Sequence, residues 1–216
     1  MKSIRILIVD DHPVVRFGLQ EMISQEADMG VCGVAESATE ALEVLEKEAP
    51  DLVIVDLSLP DRNGLELIKQ IQAKGSPPRI IVNSMHSEKL FAQRALKAGA
   101  GGYISKEVST DELLAAIRKV MAGGIYLSEA MTQHLLQVTA GSDPSRQDSG
   151  VDVLSDRELE VFGLLGEALT TRQIAERLNL SVKTIETHRE NIKAKLALEN
   201  NNELIRRAVQ WWLGQT

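Results

Sequence analysis

Short apolar runs alternate with longer amphipathic segments along the first part of the chain. Residues 6–9 and 52–55 are uninterrupted apolar runs, which are typical of strands buried on both faces of a parallel sheet. We predict further strands at residues 79–84 and 102–106, and a buried strand around Cys32. The segments between these strands have the periodicity of helices.

Signals for helix starts occur between the strands. Pro13 suits the first position of a helix, and Ser37 and Ser109 each precede a glutamate by three residues, which is the spacing of a capping box. The predicted helices cover residues 13–25, 38–48, 64–73, 88–97, 110–122 and 129–138. This alternation predicts an α/β fold with a doubly wound, five-stranded parallel sheet.

Residues 151–216 have a second pattern, made of successive helix signals. A capping box from Ser155 to Glu158 opens the first helix, a second begins at Thr170, and Ser181 caps a longer third helix. The short spacing between the second and third helices is that of a helix-turn-helix. We therefore expect a second, smaller all-α domain.

The stretch between the two patterns has almost no apolar side chain to bury. Residues 140–150 are rich in Gly, Ser, Asp and Pro, so they are predicted to form a flexible tether. The expected domain boundaries place the larger domain at residues 1–127, a linker helix and the tether at 128–150, and the smaller domain at 151–216.

Polar side chains follow the predicted strands of the sheet. Asp10 and Asp11 come after the first strand and Asp56 after the third, while Ser84 and Lys106 end the last two. The carboxyl ends of parallel strands meet at one edge of the sheet, so these groups are expected to share a pocket. Three carboxylates repel one another unless a hard cation such as Mg²⁺ lies among them. The chemistry suggested is phosphoryl transfer.

The order of these residues on successive strands resembles the receiver domain of bacterial two-component response regulators, over residues 1–127. The resemblance implies a flavodoxin-like fold in which Asp56 accepts a phosphoryl group. A carboxylate nucleophile of this kind forms an aspartyl phosphate.

The same resemblance implies roles for the surrounding groups. It implies that Mg²⁺ is held by Asp10, Asp11, Asp56 and the backbone carbonyl of Ser58. Lys106 would bond to the phosphoryl group, and Ser84 and Tyr103 would form the switch pair. With Asp56, the residues expected to take part in the transfer are therefore Ser84 and Lys106.

The second domain resembles the DNA-binding domain shared by the NarL and LuxR groups of transcription factors. The matching positions are Leu154, Ser155, Arg157, Glu158, Ile174, Ala175, Ser181, Val182, Lys183, Thr184, His188, Lys195 and Leu196. Ala168 and Ala197 stand where those families commonly have glycine. The resemblance implies binding to double-stranded promoter DNA as a homodimer.

Charge limits where DNA could bind. The chain has 24 basic and 31 acidic residues, and residues 151–216 have nine basic against ten acidic. Residues 172–195 have six basic against three acidic, so a basic stripe rather than a basic domain is expected to face phosphate. The candidate DNA-binding residues are Lys183, Thr184, Glu186, Thr187, Arg189, Glu190, Lys193 and Lys195. His188, at the margin of the apolar stripe, is expected to be structural or to face phosphate.

The remaining composition is typical of a cytoplasmic regulator. A single cysteine excludes an internal disulfide, no apolar run approaches the length of a membrane helix, and the first residues lead into a strand rather than a signal peptide. We expect a switch rather than a turnover enzyme, with a sensor histidine kinase as phosphodonor and RNA polymerase as a candidate further partner.

Two other classes of protein use parts of this pattern. An aspartyl-phosphate phosphatase of the haloacid-dehalogenase type needs a second acid two residues after the nucleophile, where this chain has Ser58. A phosphorylation-independent DNA-binding regulator would use the receiver only as a docking module. Phosphate on Asp56 separates this last class from the phosphorylated switch.

Overall fold

The computed structural model describes residues 3–139 and 150–213, and the chain divides into two compact units, residues 1–136 and 137–216. Most of the predicted tether, residues 140–149, lies outside the described residues. Within the described ranges, no helix is both long enough and apolar enough to cross a membrane.

The first unit contains the predicted five-stranded sheet. Its strands are β1 Ile4–Val9, β2 Met29–Ala35, β3 Leu52–Val55, β4 Arg79–Ser84 and β5 Gly102–Ser105. They lie in the order β2-β1-β3-β4-β5, and every neighbouring pair is parallel. The doubly wound topology is therefore confirmed.

Helices cover both faces of the sheet. The helices of residues 3–139 are α1 Pro13–Ser24, α2 Ala38–Glu48, α3 Gly64–Gln72, α4 Glu88–Ala98, α5 Thr110–Met121 and α6 Glu129–Thr139. Pro13 opens α1 as predicted, and the hydroxyls of Ser37 and Ser109 accept hydrogen bonds from the third residue of α2 and α5. Alternate strand residues such as Ile6 and Ile8 pack in one core with α1 and α5, while α2 and α4 contact the sheet as well.

The edge strand β2 differs from its prediction as a buried strand. Ile6 of β1 pairs with Val31 and Leu7 pairs with Gly33, so Cys32 is skipped and forms a bulge. Cys32 is only half-buried because β2 has a neighbour on one side alone. Even so, partial burial raises the pKa of its thiol, which keeps it protonated at neutral pH.

The register of the inner strands sets the position of the polar groups. Val9 pairs with Val55, and Val55 pairs with Val82. Asp10 and Asp56, the next residues on two neighbouring strands, are therefore adjacent at the carboxyl edge of the sheet. The amide of Asp56 donates to the carbonyl of Val9 at 2.8 Å, which fixes this alignment.

The second unit is all-α, as predicted. After a 3₁₀ turn at Val151–Val153 come α7 Asp156–Gly166, α8 Thr171–Arg177, α9 Val182–Lys195 and α10 Asn201–Leu213. Complete capping boxes open α7 at Ser155 and α8 at Thr170, and Ser181 caps α9. The pair α8 and α9 forms the helix-turn-helix.

Three helices of this unit are followed by residues other than glycine in a left-handed conformation. Ala168, Asn179 and Ala197 follow α7, α8 and α9 with φ of 62°, 51° and 52°. These are left-handed conformations, which cost a residue with a Cβ free energy that glycine avoids. The two alanines identified in the sequence therefore carry backbone strain.

Candidate phosphoacceptor pocket and DNA-binding helix

Asp56 and Lys106 form the centre of the pocket. Asp56 is only 3% exposed, and the Nζ atom of Lys106 lies 2.7 Å from its Oδ2 and 2.7 Å from Oδ2 of Asp10. Burial lowers the pKa of Lys106, but the charge of Asp56 and the hydrogen bonds that Lys106 donates to both carboxylates raise it more, and the net pKa lies above the usual value. Lys106 therefore remains a cation.

Two further basic side chains contact the acids that follow β1. The amide of His12 donates to Oδ1 of Asp10 at 2.9 Å, and its Nδ1 lies 2.6 Å from Oδ1 of Asp11. Arg16 of α1 donates from Nη1 to the backbone carbonyl of Asp10 at 2.6 Å. These contacts hold both carboxylates at the mouth of the pocket.

The donor set fits a hard divalent cation. The possible ligand atoms of Asp10, Asp11, His12 and Asp56 all lie within 4.8 Å of one another. Oδ1 of Asp56 is buried and has no hydrogen-bond partner among the described residues. A buried carboxylate oxygen left without a partner is costly, and a cation would satisfy it.

The loop after Asp56 approaches its backbone closely. The amide of Gly64 donates to the carbonyl of Leu57 at 2.8 Å, and a Cβ at Gly64 would overlap the carbonyl oxygen of Asp56. Ser58 and Asn63 form a bridge across the loop, and the side chain of Asn63 caps α3. Only glycine fits at position 64 without moving the phosphoacceptor candidate.

His86 connects the switch residues that the sequence predicted. Its amide donates to the Ser84 hydroxyl at 3.3 Å, and its carbonyl accepts from the hydroxyl of the fully buried Tyr103 at 2.9 Å. Its Nε2 lies 2.8 Å from the Ser58 hydroxyl, and its ring packs against Phe91 of α4. Sequence reasoning missed His86, although its place two residues after a strand-end hydroxyl was a usable signal.

Along α9, the predicted division into buried and exposed faces is present. Ile185 and Ile192 are fully buried. The side predicted to face DNA is exposed at Lys183, Glu186, Thr187, Glu190, Asn191 and Ala194. This face presents both acidic and basic side chains.

Lys195, however, bonds within its own domain. Its Nζ lies 2.6 Å from Oε2 of Glu158, whose side chain is 6% exposed. Burial raises the pKa of Glu158, but the hydrogen bonds from Lys195 and Ser155 lower it more, so that its net pKa lies below the usual value. Lys195 thus compensates a buried charge at the start of α7.

Other candidates on α9 also have intramolecular partners. The guanidinium of Arg189 donates to the hydroxyl of Thr171 at the start of α8. Lys193 lies 2.9 Å from Glu190, one turn before it. Contacts of Arg189 or Lys193 with phosphate would compete with these bonds.

His188 is half-buried, and its Nδ1 has no hydrogen-bond partner among the residues described. Burial and the charge of Arg157 lower its pKa, while Glu158 and Glu160 oppose that shift. The imidazole is therefore neutral in the folded domain at pH 7. Its burial supports the structural role rather than the phosphate-facing one.

Each of the two units matches a known protein family. Residues 6–118 match the response regulator receiver domain, and residues 152–208 match the bacterial regulatory proteins of the luxR family. The chain belongs to the response regulators of the NarL/FixJ type. These regulators combine the two domains found here.

Related proteins align over nearly the full length. The nitrate/nitrite response regulator NarL of Escherichia coli K12 is 33% identical over 92% of this chain and 91% of its own. The transcriptional regulatory protein UhpA of the same organism is 36% identical over 97% of this chain and 100% of its own. The shared architecture is therefore that of two-component transcription regulators.

Solved structures agree with the fold. A LuxR-family two-component response regulator from Aurantimonas sp. SI85-9A1 has a TM-score of 0.60 and 34% identity, and covers 64% of this chain and 99% of its own. RcsB from Salmonella enterica serovar Typhimurium, bound to promoter rprA with the phosphomimetic BeF₃⁻, has a TM-score of 0.63 and 28% identity, over 96% of this chain and 99% of its own.

Proposed function

We propose that this response regulator is switched by phosphorylation of Asp56 and then binds promoter DNA as a homodimer. The observation that carries the proposal is the buried bridge of Lys106 between Asp56 and Asp10, beside Oδ1 of Asp56, which has no hydrogen-bond partner among the residues that the structure describes. A sensor histidine kinase is the proposed phosphodonor. Because the proposed target is promoter DNA, we propose a cytoplasmic location, with RNA polymerase as a candidate partner.

The transfer needs positioning and charge more than covalent chemistry. One oxygen of Asp56 attacks phosphorus, and the bond from phosphorus to the donor's leaving atom breaks. Lys106, already 2.7 Å from Asp56, would bond to an oxygen of the transferred group. A Mg²⁺ ion held by Asp10, Asp11, Asp56 and the Ser58 carbonyl would neutralise charge on the phosphoryl oxygens.

The switch is proposed to pass through the loop between β4 and α4. The Ser84 hydroxyl accepts a hydrogen bond from the amide of His86 at 3.3 Å, and this bond must break before the hydroxyl can reach the phosphoryl group. Movement of His86 would then also break the hydrogen bond that the Tyr103 hydroxyl donates to the His86 carbonyl. We propose that the surface around α4 and Tyr103 is the bistable element.

The output domain is proposed to bind DNA with the exposed face of α9. Lys183 and Glu186 lie on that face, and relatives such as RcsB have been solved on promoter DNA. The domain boundaries that we propose are residues 1–127 for the receiver, 128–150 for the linker and 151–216 for the DNA-binding domain.

The test is incubation of the full chain with acetyl phosphate and Mg²⁺, followed by intact-mass measurement and mapping of the acid-labile phosphate. We expect one phosphate on Asp56, and none on Asp56→Asn. Asp111→Asn, which changes an exposed acid in the first turn of α5, is the matched control and should be labelled normally. A wild-type chain that takes up no phosphate would contradict the proposal and favour a docking receiver.

A further inference from the structure

A cleft lies between α1 and the start of α5, next to the phosphoacceptor pocket. Its volume is about 280 Å³, and Val14, which is 82% exposed, leaves it open to solvent. A dry apolar cavity of about 150 Å³ can hold benzene, so this cleft has room for a molecule of about two fused rings. Most of its walls are apolar, which is typical of small-molecule sites. They come from Val14, Val15, Leu19, Met22, Val108 and Leu113.

A buried amide, that of Asn83, also lines the cleft. Asn83 is 4% exposed and lies on β4 two residues after Ile81, which packs in the core that the sheet forms with α1 and α5. Alternate strand residues point to the same face, so Asn83 faces these helices as well. Among the residues that the structure describes, its side chain has no hydrogen-bond partner. A buried amide without a partner is costly, and a molecule bound in the cleft would satisfy it.

The other polar side chains that line the cleft are already engaged. The Ser105 hydroxyl accepts from the amide of Glu107 at 3.2 Å, and the Ser109 hydroxyl caps α5. The ammonium of Lys106 lies between two carboxylates, so it offers no free charge to a ligand. The amide of Asn83 presents a donor group beside an acceptor. A neutral molecule that carries an acceptor beside a donor is the complement of this amide.

We propose that this cleft binds a small neutral cyclic amide fused to an apolar ring. The ring would lie against the apolar walls, and the C=O and N–H of the ligand would pair with the side-chain amide of Asn83. Lys106 lines both the cleft and the phosphoacceptor pocket, so the bound molecule would lie beside the residues proposed to accept the phosphoryl group. Binding in the cleft requires no phosphorylation of Asp56.

The test uses the unphosphorylated full chain and two bicyclic probes. Carbostyril has the C=O and N–H of a cyclic amide, whereas quinoline has rings of the same size and a single acceptor nitrogen. Amide ¹H–¹⁵N NMR spectra of the chain are recorded during titration with each probe. We expect carbostyril to shift the side-chain amide of Asn83 and the backbone amides of the cleft, with a dissociation constant of about 1 mM or tighter. Quinoline should bind more weakly.

Two variants and a matched control locate the binding site. Asn83→Leu should weaken binding of carbostyril about tenfold and binding of quinoline by less than about threefold, because only carbostyril pairs with both halves of the amide. Gly18→Leu should block both probes: Gly18 lines the cleft on α1, and a Cβ there would meet no atom within 4 Å, so the leucine fits and fills the space. Gly75→Leu, at an exposed glycine outside the cleft where a Cβ also meets nothing, should change neither affinity.

Several outcomes would overturn the proposal. If carbostyril shifts no amide of the cleft up to its solubility limit, the cleft holds water only. If Asn83→Leu weakens both probes equally, the amide does not recognise the ligand. If Gly18→Leu leaves binding unchanged, the probes bind elsewhere. Equal affinity of the wild type for carbostyril and quinoline would also contradict the proposal, which keeps the test decisive if Asn83→Leu does not fold.

Discussion

In the receiver pocket the charged side chains are buried and bonded to one another, whereas along the outer face of α9 they are exposed to solvent. Lys106 is 8% exposed between two acids that are less exposed still. Glu190, on α9, is 68% exposed, while the side chain of its partner Lys193 is 15% exposed, so one member of this pair is open to solvent. A charge pair therefore differs in its solvation, and so in its effect on stability, between the two regions.

The difference follows from solvent. A buried pair compensates a desolvation cost, so removing one partner leaves an uncompensated charge in a poorly solvated place. An exposed pair is screened by water and contributes little to stability, which leaves its members available to an external partner. We therefore expect pocket substitutions to change both stability and chemistry, and substitutions of exposed charged residues on α9 to change mainly DNA binding.

The largest effect is expected for Lys106→Met. It leaves Asp10 and Asp56 buried without their shared cation, so the receiver should lose about 3 kcal/mol of stability in the absence of divalent ions. Phosphate labelling should slow by about 10²-fold, because a group that stabilises the transferring oxygens is gone. Urea unfolding followed by ¹⁹F NMR of 3-fluorotyrosine measures the receiver alone, since Tyr103 and Tyr126, the only tyrosines, both lie in it.

Lys193→Ala is the counterpart of that variant on α9, where the partner carboxylate of Glu190 is 68% exposed and therefore stays hydrated when Lys193 is removed. It should change stability by less than about 1 kcal/mol. If Lys106→Met and Lys193→Ala destabilise their domains equally, the contrast between the two regions is wrong.

The next effect is on base preference. Glu186 is exposed on α9, where a carboxylate can accept a hydrogen bond from the N4 amine of cytosine. Glu186→Ala should relax the preference at one base pair by about 1 to 3 kcal/mol. Lys193→Ala should weaken binding to all sequences and lessen its salt dependence. If Glu186→Ala instead raises the affinity for every DNA sequence equally, the glutamate acts only as a repulsive charge and does not read a base.

A smaller effect concerns the strained helix ends. Ala197 has φ of 52°, so Ala197→Gly should stabilise the DNA-binding domain by about 1 kcal/mol. Ala194→Gly, inside α9, should instead destabilise it by roughly 0.5 to 1 kcal/mol. Trp211 and Trp212 are the only tryptophans and both lie in α10, so their fluorescence follows unfolding of this domain. Destabilisation by Ala197→Gly would show that the left-handed residue is not strained.

The smallest effect is a pH dependence from His188. Its pKa in the folded domain lies below the usual 6.5, so the unfolded chain binds a proton more readily. The contribution of neutral His188 to the free energy of unfolding is therefore complete above pH 6.5, and it is lost as the pH falls from 6.5 through the pKa of His188 in the folded domain. His188→Gln should flatten the tryptophan-detected stability profile in that window. If the slope of stability against pH is unchanged in His188→Gln, another titratable group causes the pH dependence.

The sequence predicted the polar groups that strand ends deliver, because parallel strands bring their carboxyl ends to one edge whatever the loops do. Asp10, Asp56 and Lys106 meet there. It did not predict the contacts of His12 and His86, because these depend on how loops turn after the strands.

The half-burial of β2 was also missed, since an apolar run does not reveal which strand lies at the edge. On α9 the periodicity gave the correct buried side at Ile185 and Ile192. It could not reveal that Lys195 bonds to Glu158, 37 residues away in the chain. Helical periodicity defines faces, whereas tertiary partners depend on how helices pack.

The most direct test of the central claim is DNA affinity as a function of Asp56 phosphorylation. Promoter fragments obtained by genomic selection with the full chain would be titrated with wild type and Asp56→Asn, each with and without acetyl phosphate and Mg²⁺. We predict that the phosphodonor tightens binding and promotes dimer formation in the wild type, and changes neither property in Asp56→Asn. Equal affinity of phosphorylated and unphosphorylated wild type would contradict a phosphorylation-dependent switch.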